Sequence, residues 1–163
     1  MTNFEKIQAK VHSWDSVRDT VNKWRHQGDR IVFTNGCFDI LHYGHAYYLA
    51  QARDLGDRLI VGLNAASSIS RLKGSHRPIH DEATRQYLLA GLQFVDAVVL
   101  FEEDTPLRLI KWVLPDVLVK GGDWQPKDIV GSDVVLKNGG QVRSLDFVEG
   151  YSTTAIEKKI RSW

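Results

Sequence analysis

Short runs of aliphatic residues alternate along the chain with longer segments whose apolar residues recur at helical spacing. The short runs predict five β-strands, at residues 31–33, 58–63, 97–101, 116–119 and 141–145. The amphipathic segments predict helices at residues 13–26, from residue 43, and at 81–92, 106–112, 132–137 and 152–160. This alternation predicts an α/β fold, a doubly wound parallel five-stranded sheet with helices on both faces, and ligands would bind beyond the carboxyl ends of its strands.

Two segments have a less regular pattern. Residues 71–78 are polar and basic and are interrupted by Gly74 and Pro78, so they predict a mobile loop. Residues 1–28 predict a helical extension, with Ser13 as N-cap, at the start of a single domain that covers residues 1–163.

Composition narrows the classes of function. The 163 residues include 21 Lys and Arg against 20 Asp and Glu, and a net charge of +1 gives no sign of a nucleic-acid or membrane partner. A single cysteine excludes an internal disulfide, and no apolar run is long enough for a signal peptide or a membrane span. We therefore expect a cytoplasmic protein.

The most informative segment joins the first predicted strand to the next helix. Gly36 follows the strand and lets a ligand approach the main chain, and a phosphate fits the N-terminus of the helix that begins near Tyr43. His42 and His45 are three residues apart and can share one side of that helix, while Gly44 between them leaves room for a ligand. Neutral imidazoles there could donate hydrogen bonds to a phosphoryl group as its charge develops.

Other interpretations of these residues have to be considered. The two histidines could be zinc ligands or could have no special role, although no His-x-x-x-His or Cys-x-x-Cys spacing supports zinc, and we expect no metal-binding residues. The single cysteine, Cys37, is interpreted as a small packing residue rather than a nucleophile.

The segment Gly36-Cys-Phe-Asp-Ile-Leu-His-Tyr-Gly-His45 resembles the G-x-F-D-x-x-H-x-G-H signature of cytidylyltransferase-like nucleotidyltransferases. Its H-x-G-H part is similar to the HIGH motif of class I aminoacyl-tRNA synthetases, which implies a Rossmann-like nucleotidylyltransferase fold. Glu149-Gly-Tyr-Ser-Thr-Thr154 resembles the family's second signature, E-G-x-S-T-T, which grips the β- and γ-phosphates. Without the resemblance, Ser152 would be interpreted as an N-cap with Thr153 in the first helical turn.

The resemblance also implies a set of site residues. The expected catalytic residues are His42, His45 and Lys73. The expected nucleotide-binding residues are Asn35, Gly36, Cys37, Phe38, Gly44, Arg85, Lys120, Gly121, Gly122, Asp123, Ser152, Thr153 and Thr154. Asp39 and Arg71 are expected to bind the second substrate. Plainer roles stay open for several of them: solvated surface charges for Lys73, Arg71 and Arg85, and a helix cap for Asp39.

Four further segments, at residues 34–42, 71–74, 101–106 and 115–123, resemble the adenylyltransferase subfamily that makes ADP-heptose for lipopolysaccharide cores. Residues 146–148 lack the arginine that glycerol-3-phosphate cytidylyltransferase has in this region, which fits ATP better than CTP. The resemblance implies AMP transfer from Mg²⁺-bound ATP to a sugar 1-phosphate, with release of pyrophosphate, and it leaves a homodimer open. The alternatives are a cytidylyltransferase acting on glycerol or another polyol phosphate, and a non-catalytic nucleotide-binding module.

Overall fold

The computed structural model describes residues 1–163 and contains one six-stranded parallel sheet. The strands are β1 Val11–His12, β2 Ile31–Gly36, β3 Arg58–Asn64, β4 Ala97–Phe101, β5 Val117–Gly121 and β6 Gln141–Leu145. Their spatial order is β1-β4-β3-β2-β5-β6. The predicted parallel sheet is confirmed, but the predicted number of strands is wrong because β1 adds a sixth.

The additional strand comes from the segment predicted to be helical throughout. β1 pairs with β4, with Val11 opposite Val98, and the amide of Val98 donates to the carbonyl of Lys10 at 2.8 Å. A two-residue strand is too short to show a period of two, so the sequence pattern did not predict it. The first 28 residues therefore contribute a strand to the sheet as well as helices.

Eight α-helices cover the sheet. They are α1 Asn3–Gln8, α2 Trp14–His26, α3 Tyr43–Arg53, α4 Ala66–Lys73, α5 Glu82–Gly91, α6 Leu107–Val113, α7 Ser132–Lys137 and α8 Thr153–Arg161. Ser13 caps α2 as expected, and its hydroxyl accepts from the amide of Ser16.

Alternate strand residues face opposite sides of the sheet, which produces two separate hydrophobic cores. Phe33 packs on the face covered by α2 and α6, with Val17 and Ile110, whereas Val32 packs on the opposite face, with Leu49 of α3. Helices on both faces confirm the doubly wound architecture.

Several predicted boundaries differ from those observed. β2 continues to Gly36 and β5 to Gly121, so the glycines expected just beyond these strands are their last residues. α4 continues to Lys73, which shortens the predicted mobile loop. In α5, Leu88 is 44% exposed, whereas Leu89 and the side chain of Arg85 are fully buried.

The strand order determines where a ligand can bind. The chain moves from β2 outward through β3 to β4, then returns to the other side of β2 to form β5 and β6. Doubly wound sheets have a crevice where the strand order reverses, beyond the carboxyl ends of the strands on either side. Here that crevice lies between the ends of β2 and β5, at Gly36 and Gly121. None of the helices combines the length and apolar character needed to cross a lipid bilayer.

Candidate active site

A cavity of about 890 Å³ lies at this crevice, a size that suits a nucleotide. It is lined by the loop from β2 to α3, the end of α4, the end of β5 and the start of α8. Most of the residues expected from the sequence line it: Asn35, Gly36, Cys37, Phe38, Asp39, His42, Gly44, His45, Lys73, Lys120, Gly121, Ser152, Thr153 and Thr154. Residues from both signature segments therefore share one cavity.

The loop after β2 is tightly folded around Phe38. Phe38 has a positive φ of 45°, which is uncommon for a residue other than glycine, and its buried ring meets the ring of His45 edge-on with 5.2 Å between centroids. A Cβ on Gly36 would lie 2.9 Å from the Phe38 ring, so glycine is the residue that lets the strand end pass this close. The loop thus presents a short stretch of main chain to the cavity.

The two signature histidines form a stacked pair. His42 is the N-cap of α3, and its ring lies on that of His45 with 3.7 Å between centroids and 23° between planes. The Nδ1 atoms of both rings are buried without a partner in the protein. Burial lowers the pKa of both, and for His45, next to His42 and Lys73, the pKa falls to about 4. At neutral pH His45 is therefore uncharged and able to donate a directed hydrogen bond.

Gly44 is required by this packing. A Cβ at position 44 would lie 3.0 Å from Cε1 of His42 and 3.2 Å from Cβ of Tyr151. A larger residue would therefore displace either the imidazole or the loop that precedes α8.

The start of α8 contributes hydroxyls and unpaired amides to the opposite wall. Ser152 is the N-cap of α8, and its Oγ accepts from the amide of Ala155 at 3.0 Å, so the interpretation of Ser152 as a helix cap is confirmed. Ser152, Thr153 and Thr154 also line the cavity, where the free N–H groups and the positive end of the helix dipole favour an anion. The capping role and a ligand-binding role are compatible, since the serine hydroxyl can still donate.

Two lysines supply positive charge to the cavity. Lys73, the last residue of α4, and Lys120, near the end of β5, both line it. Neither forms an ion pair. Lys120 instead lies 5.8 Å from the centre of the Trp124 ring. Both ammonium groups are free to meet a phosphate.

Four expected residues are not brought to the cavity: Arg71, Arg85, Gly122 and Asp123. Arg71 is directed away by an exposed ion pair with Asp104 at 3.0 Å. The side chain of Arg85 is fully buried, where it donates to three main-chain carbonyls instead of facing a ligand.

Gly121, the last residue of β5, and Gly122, which follows it, were expected to bind the nucleotide, but aromatic rings lie against both. A Cβ on Gly121 would lie 2.6 Å from Cε1 of Phe147, and one on Gly122 would lie 3.1 Å from Nε1 of Trp124. A base approaching these glycines meets the Phe147 ring, which is 70% exposed.

Asp39 lines the cavity, but its carboxylate already has partners. One oxygen accepts from the amide of Ile79 and the other from the amide of His80, both at 2.8 Å, and Arg77 lies 3.7 Å away. Asp39 therefore holds the loop between α4 and α5 rather than capping a helix, and each of its oxygens already accepts one main-chain hydrogen bond.

The cavity also includes residues that were not anticipated: Tyr48, His76, Arg77, Phe147, Val148, Glu149, Gly150, Tyr151 and Glu157. The residues at 149–151 could have been included because they belong to the second signature. No sequence pattern marked Arg77 and Glu157 as site residues, because their place at the cavity depends on contacts between distant segments of the chain.

Residues 33–159 match the Cytidylyltransferase-like family. The chain is 58% identical to the Bifunctional protein HldE of a Nitratiruptor species, over 98% of this chain and 35% of that protein. It is 60% identical to the Bifunctional protein HldE of Histophilus somni, over 83% of this chain and 28% of that protein. The chain thus spans about a third of the length of these curated relatives.

Solved structures agree with this assignment. The lipopolysaccharide core biosynthesis protein from Thermoplasma volcanium matches 77% of this chain and 100% of its own, with a TM-score of 0.59 and 31% identity. Pantothenate synthetase from Thermus thermophilus matches 91% of this chain and 70% of its own, with the same TM-score but 14% identity, so it supports the fold alone. The family match, the two signatures and their shared cavity agree, and the chain belongs to the cytidylyltransferase-like family.

Proposed function

We propose that this chain transfers AMP from ATP to a heptose 1-phosphate, giving ADP-heptose and pyrophosphate. The observation that carries the proposal is the meeting of the stacked His42–His45 pair, Lys73 and the N-terminus of α8 in one cavity. Donors from three separate segments thus surround a space large enough for a nucleoside triphosphate.

The proposed reaction is an in-line displacement that needs no protein nucleophile. An oxygen of the sugar 1-phosphate attacks the α-phosphorus of ATP, and the bond to the β-phosphate oxygen breaks to release pyrophosphate. Burial raises the pKa of the Cys37 thiol, which makes it a poor nucleophile and supports direct transfer.

Each group on the cavity wall then has a role in positioning or charge stabilisation. His42 and His45 donate to the α-phosphate as its charge grows, which lowers the barrier because the interaction strengthens in the transition state. Lys73 approaches the same phosphate from the end of α4. Ser152, Thr153 and Thr154 hold the departing pyrophosphate at the start of α8.

The choice of substrates rests on resemblance. The segment at 146–148 lacks the arginine that glycerol-3-phosphate cytidylyltransferase has in this region, which fits ATP better than CTP. Heptose is favoured by the segments similar to ADP-heptose-forming adenylyltransferases, and the Thermoplasma volcanium relative is described as a lipopolysaccharide core biosynthesis protein. We therefore place the proposed activity in lipopolysaccharide core biosynthesis, and the single-domain organisation, a cytoplasmic location and a homodimer remain predictions.

Magnesium is expected to accompany ATP, where the phosphates would supply most of its ligands, and the chain offers no cage of protein ligands for it. No group of three His, Cys, Asp or Glu side chains has a metal-binding arrangement, and the Asp39 carboxylate is occupied by two amides. We therefore assign no magnesium ligand to the chain and derive no step through the ion.

The test is a pyrophosphate-release assay of the chain with ATP or CTP against a panel of sugar and polyol phosphates. We expect turnover with ATP and a heptose 1-phosphate, and none with CTP and glycerol 3-phosphate. Preference for CTP would replace the proposal with a cytidylyltransferase. ATP binding without turnover on any acceptor would indicate a non-catalytic nucleotide-binding module.

A further inference from the structure

Arg77 occupies an unusual position on the cavity wall. It lies in the loop between α4 and α5, and its side chain is only 8% exposed although it lines the cavity. Its main chain is fixed to α4, because its amide donates to the carbonyl of Gly74 and its carbonyl accepts from the hydroxyl of Ser70. A buried guanidinium held in this way has little freedom to be a solvated surface charge.

The guanidinium of Arg77 contacts two carboxylates from distant parts of the chain. One terminal nitrogen lies 3.7 Å from the Asp39 carboxylate, which is 4% exposed. The other donates to the Glu157 carboxylate, which is 20% exposed. This hydrogen bond lowers the pKa of Glu157, so the carboxylate is ionised at neutral pH.

These contacts join the segments that form the proposed phosphate site. Asp39 belongs to the loop that leads to His42 and His45, and it also accepts from the amides of Ile79 and His80. Glu157 lies in α8, one turn after Thr154. Arg77 itself follows Lys73 by four residues, so one side chain connects all three walls of the cavity.

Charge gives the same side chain a second effect. Asp39 and Glu157 both line a cavity proposed to accept a triphosphate, and uncompensated carboxylates there would repel it. A buried arginine between them offsets part of this repulsion, with one positive charge against two negative charges, while holding both carboxylates in place. Glu157 has another cation, Arg161, at 2.9 Å, but that side chain is 72% exposed and contacts neither Asp39 nor the main cavity.

We propose that Arg77 is a positioning residue for the triphosphate: it ties α8 to the Asp39 loop and offsets part of the charge of the two carboxylates that would otherwise oppose anion binding. The proposal deepens the proposed function, and it rests on that function only in requiring that the cavity bind ATP. Removal of Arg77 should therefore weaken ATP binding more than it slows the chemical step.

The experiment measures ATP and inorganic tripolyphosphate binding to the whole chain by calorimetry, without an acceptor, together with KM for ATP and kcat where turnover occurs. Arg77→Met should weaken both ligands by about tenfold or more, because two carboxylates lose their shared cation. Arg161→Met, the matched control on the same Glu157, should stay within about twofold because exposed pairs contribute little. In kinetics, KM for ATP should rise more than kcat falls.

A charge-rescue variant separates this role from a purely structural one. Adding Glu157→Gln to Arg77→Met removes one of the two uncompensated charges, and we expect it to recover at least about threefold of the lost affinity. Arg77→Lys, which keeps the charge but cannot bridge both carboxylates, should bind ATP with intermediate affinity.

Binding by Arg77→Met within twofold of the original chain would overturn the proposal, as would an equal loss in Arg161→Met or no rescue in the double variant. If Arg77→Met does not unfold cooperatively, Arg77→Lys decides by its ATP affinity, and an unchanged value again overturns the proposal. A chain that binds ATP but transfers no AMP would refute the proposed function and leave this inference to be judged on binding alone.

Discussion

Replacing Arg85 with methionine gives the sharpest test of how the cavity is supported. The guanidinium of Arg85 donates to the carbonyls of Asn64 at 2.7 Å, Cys37 at 3.1 Å and His80 at 3.2 Å. These carbonyls lie at the end of β3, in the loop after β2 and in the loop before α5. One fully buried side chain therefore holds three segments around the base of the site.

The size of the effect follows from two opposing contributions. Each buried carbonyl left without a donor costs about 1–3 kcal/mol. Burial lowers the pKa of the Arg85 guanidinium, which forms no ion pair, so keeping this charge buried is costly. Methionine removes that desolvation cost, which returns several kcal/mol to the free energy of unfolding. We expect Arg85→Met to lower the free energy of unfolding by about 3 kcal/mol. For a domain of this size, that corresponds to a fall in Tm of about 6–12 °C.

Urea unfolding at neutral pH, with Arg143→Met as an exposed arginine control on β6, measures this loss. Arg85→Lys should show an intermediate loss, since one ammonium group cannot reach three carbonyls. The reasoning would be refuted if Arg85→Met unfolded at the urea concentration of the original chain while its KM for ATP rose by an order of magnitude. That result would mean that Arg85 contacts the nucleotide, as the sequence had suggested.

Three further predictions concern the histidine pair. His45→Ala should lower kcat by about 10²–10³-fold, because a donor to the transition state is lost, with only a small change in urea midpoint; an unchanged kcat would remove His45 from the mechanism. Gly44→Ala should lower kcat/KM by about tenfold or more, because the added Cβ would displace His42; unaltered kinetics would contradict this. His45 has a folded pKa of about 4, so the unfolded chain binds its proton first and stability falls as pH drops from 6.5 towards 4. Between pH 7 and pH 5, the free energy of unfolding of the original chain should fall by about 1 kcal/mol more than that of His45→Asn, after allowance for the partial exposure of His45. Urea unfolding at the two pH values measures this difference, and an equal fall in both proteins would refute the prediction.

Periodicity predicted the parts of the fold that depend on burial. β2 to β5 are largely buried on both faces, so they appear in the sequence as aliphatic runs, whereas β6 buries only Val142; the alternation of strands with helices predicted the sheet correctly. β1 was missed because its two residues are held by pairing with β4 rather than by a pattern of their own. Residues 71–73 were assigned to the loop for a similar reason, since the last turn of α4 is exposed and carries two basic residues.

The signature segments predicted which residues gather at the site but not what each side chain does there. His42, His45 and the Ser152–Thr154 segment meet in the cavity because helix N-termini after parallel strands converge at one edge of the sheet. Arg85 was also selected by resemblance, yet its partners are main-chain carbonyls at positions 37, 64 and 80. Such partners depend on how loops fold against one another, and no spacing within a single segment encodes them.

The charge balance of the cavity shows why these contacts decide its chemistry. Its lysines and arginine, Lys73, Lys120 and Arg77, are equal in number to its carboxylates, Asp39, Glu149 and Glu157, so formal charge alone predicts no preference for an anion. The ion pairs among these groups are unevenly distributed: Arg77 contacts both Asp39 and Glu157, while the two lysines have no carboxylate partner. Because Arg77 offsets only one of its two carboxylate charges and Glu149 has no cation partner, the formal side-chain charge of the cavity stays near zero, and the two unpaired ammonium groups and the α8 N-terminus determine where an anion is favoured. The proposed preference of this cavity for a triphosphate therefore depends on where its unpaired cations lie relative to its paired charges, and those positions are set only when the chain folds.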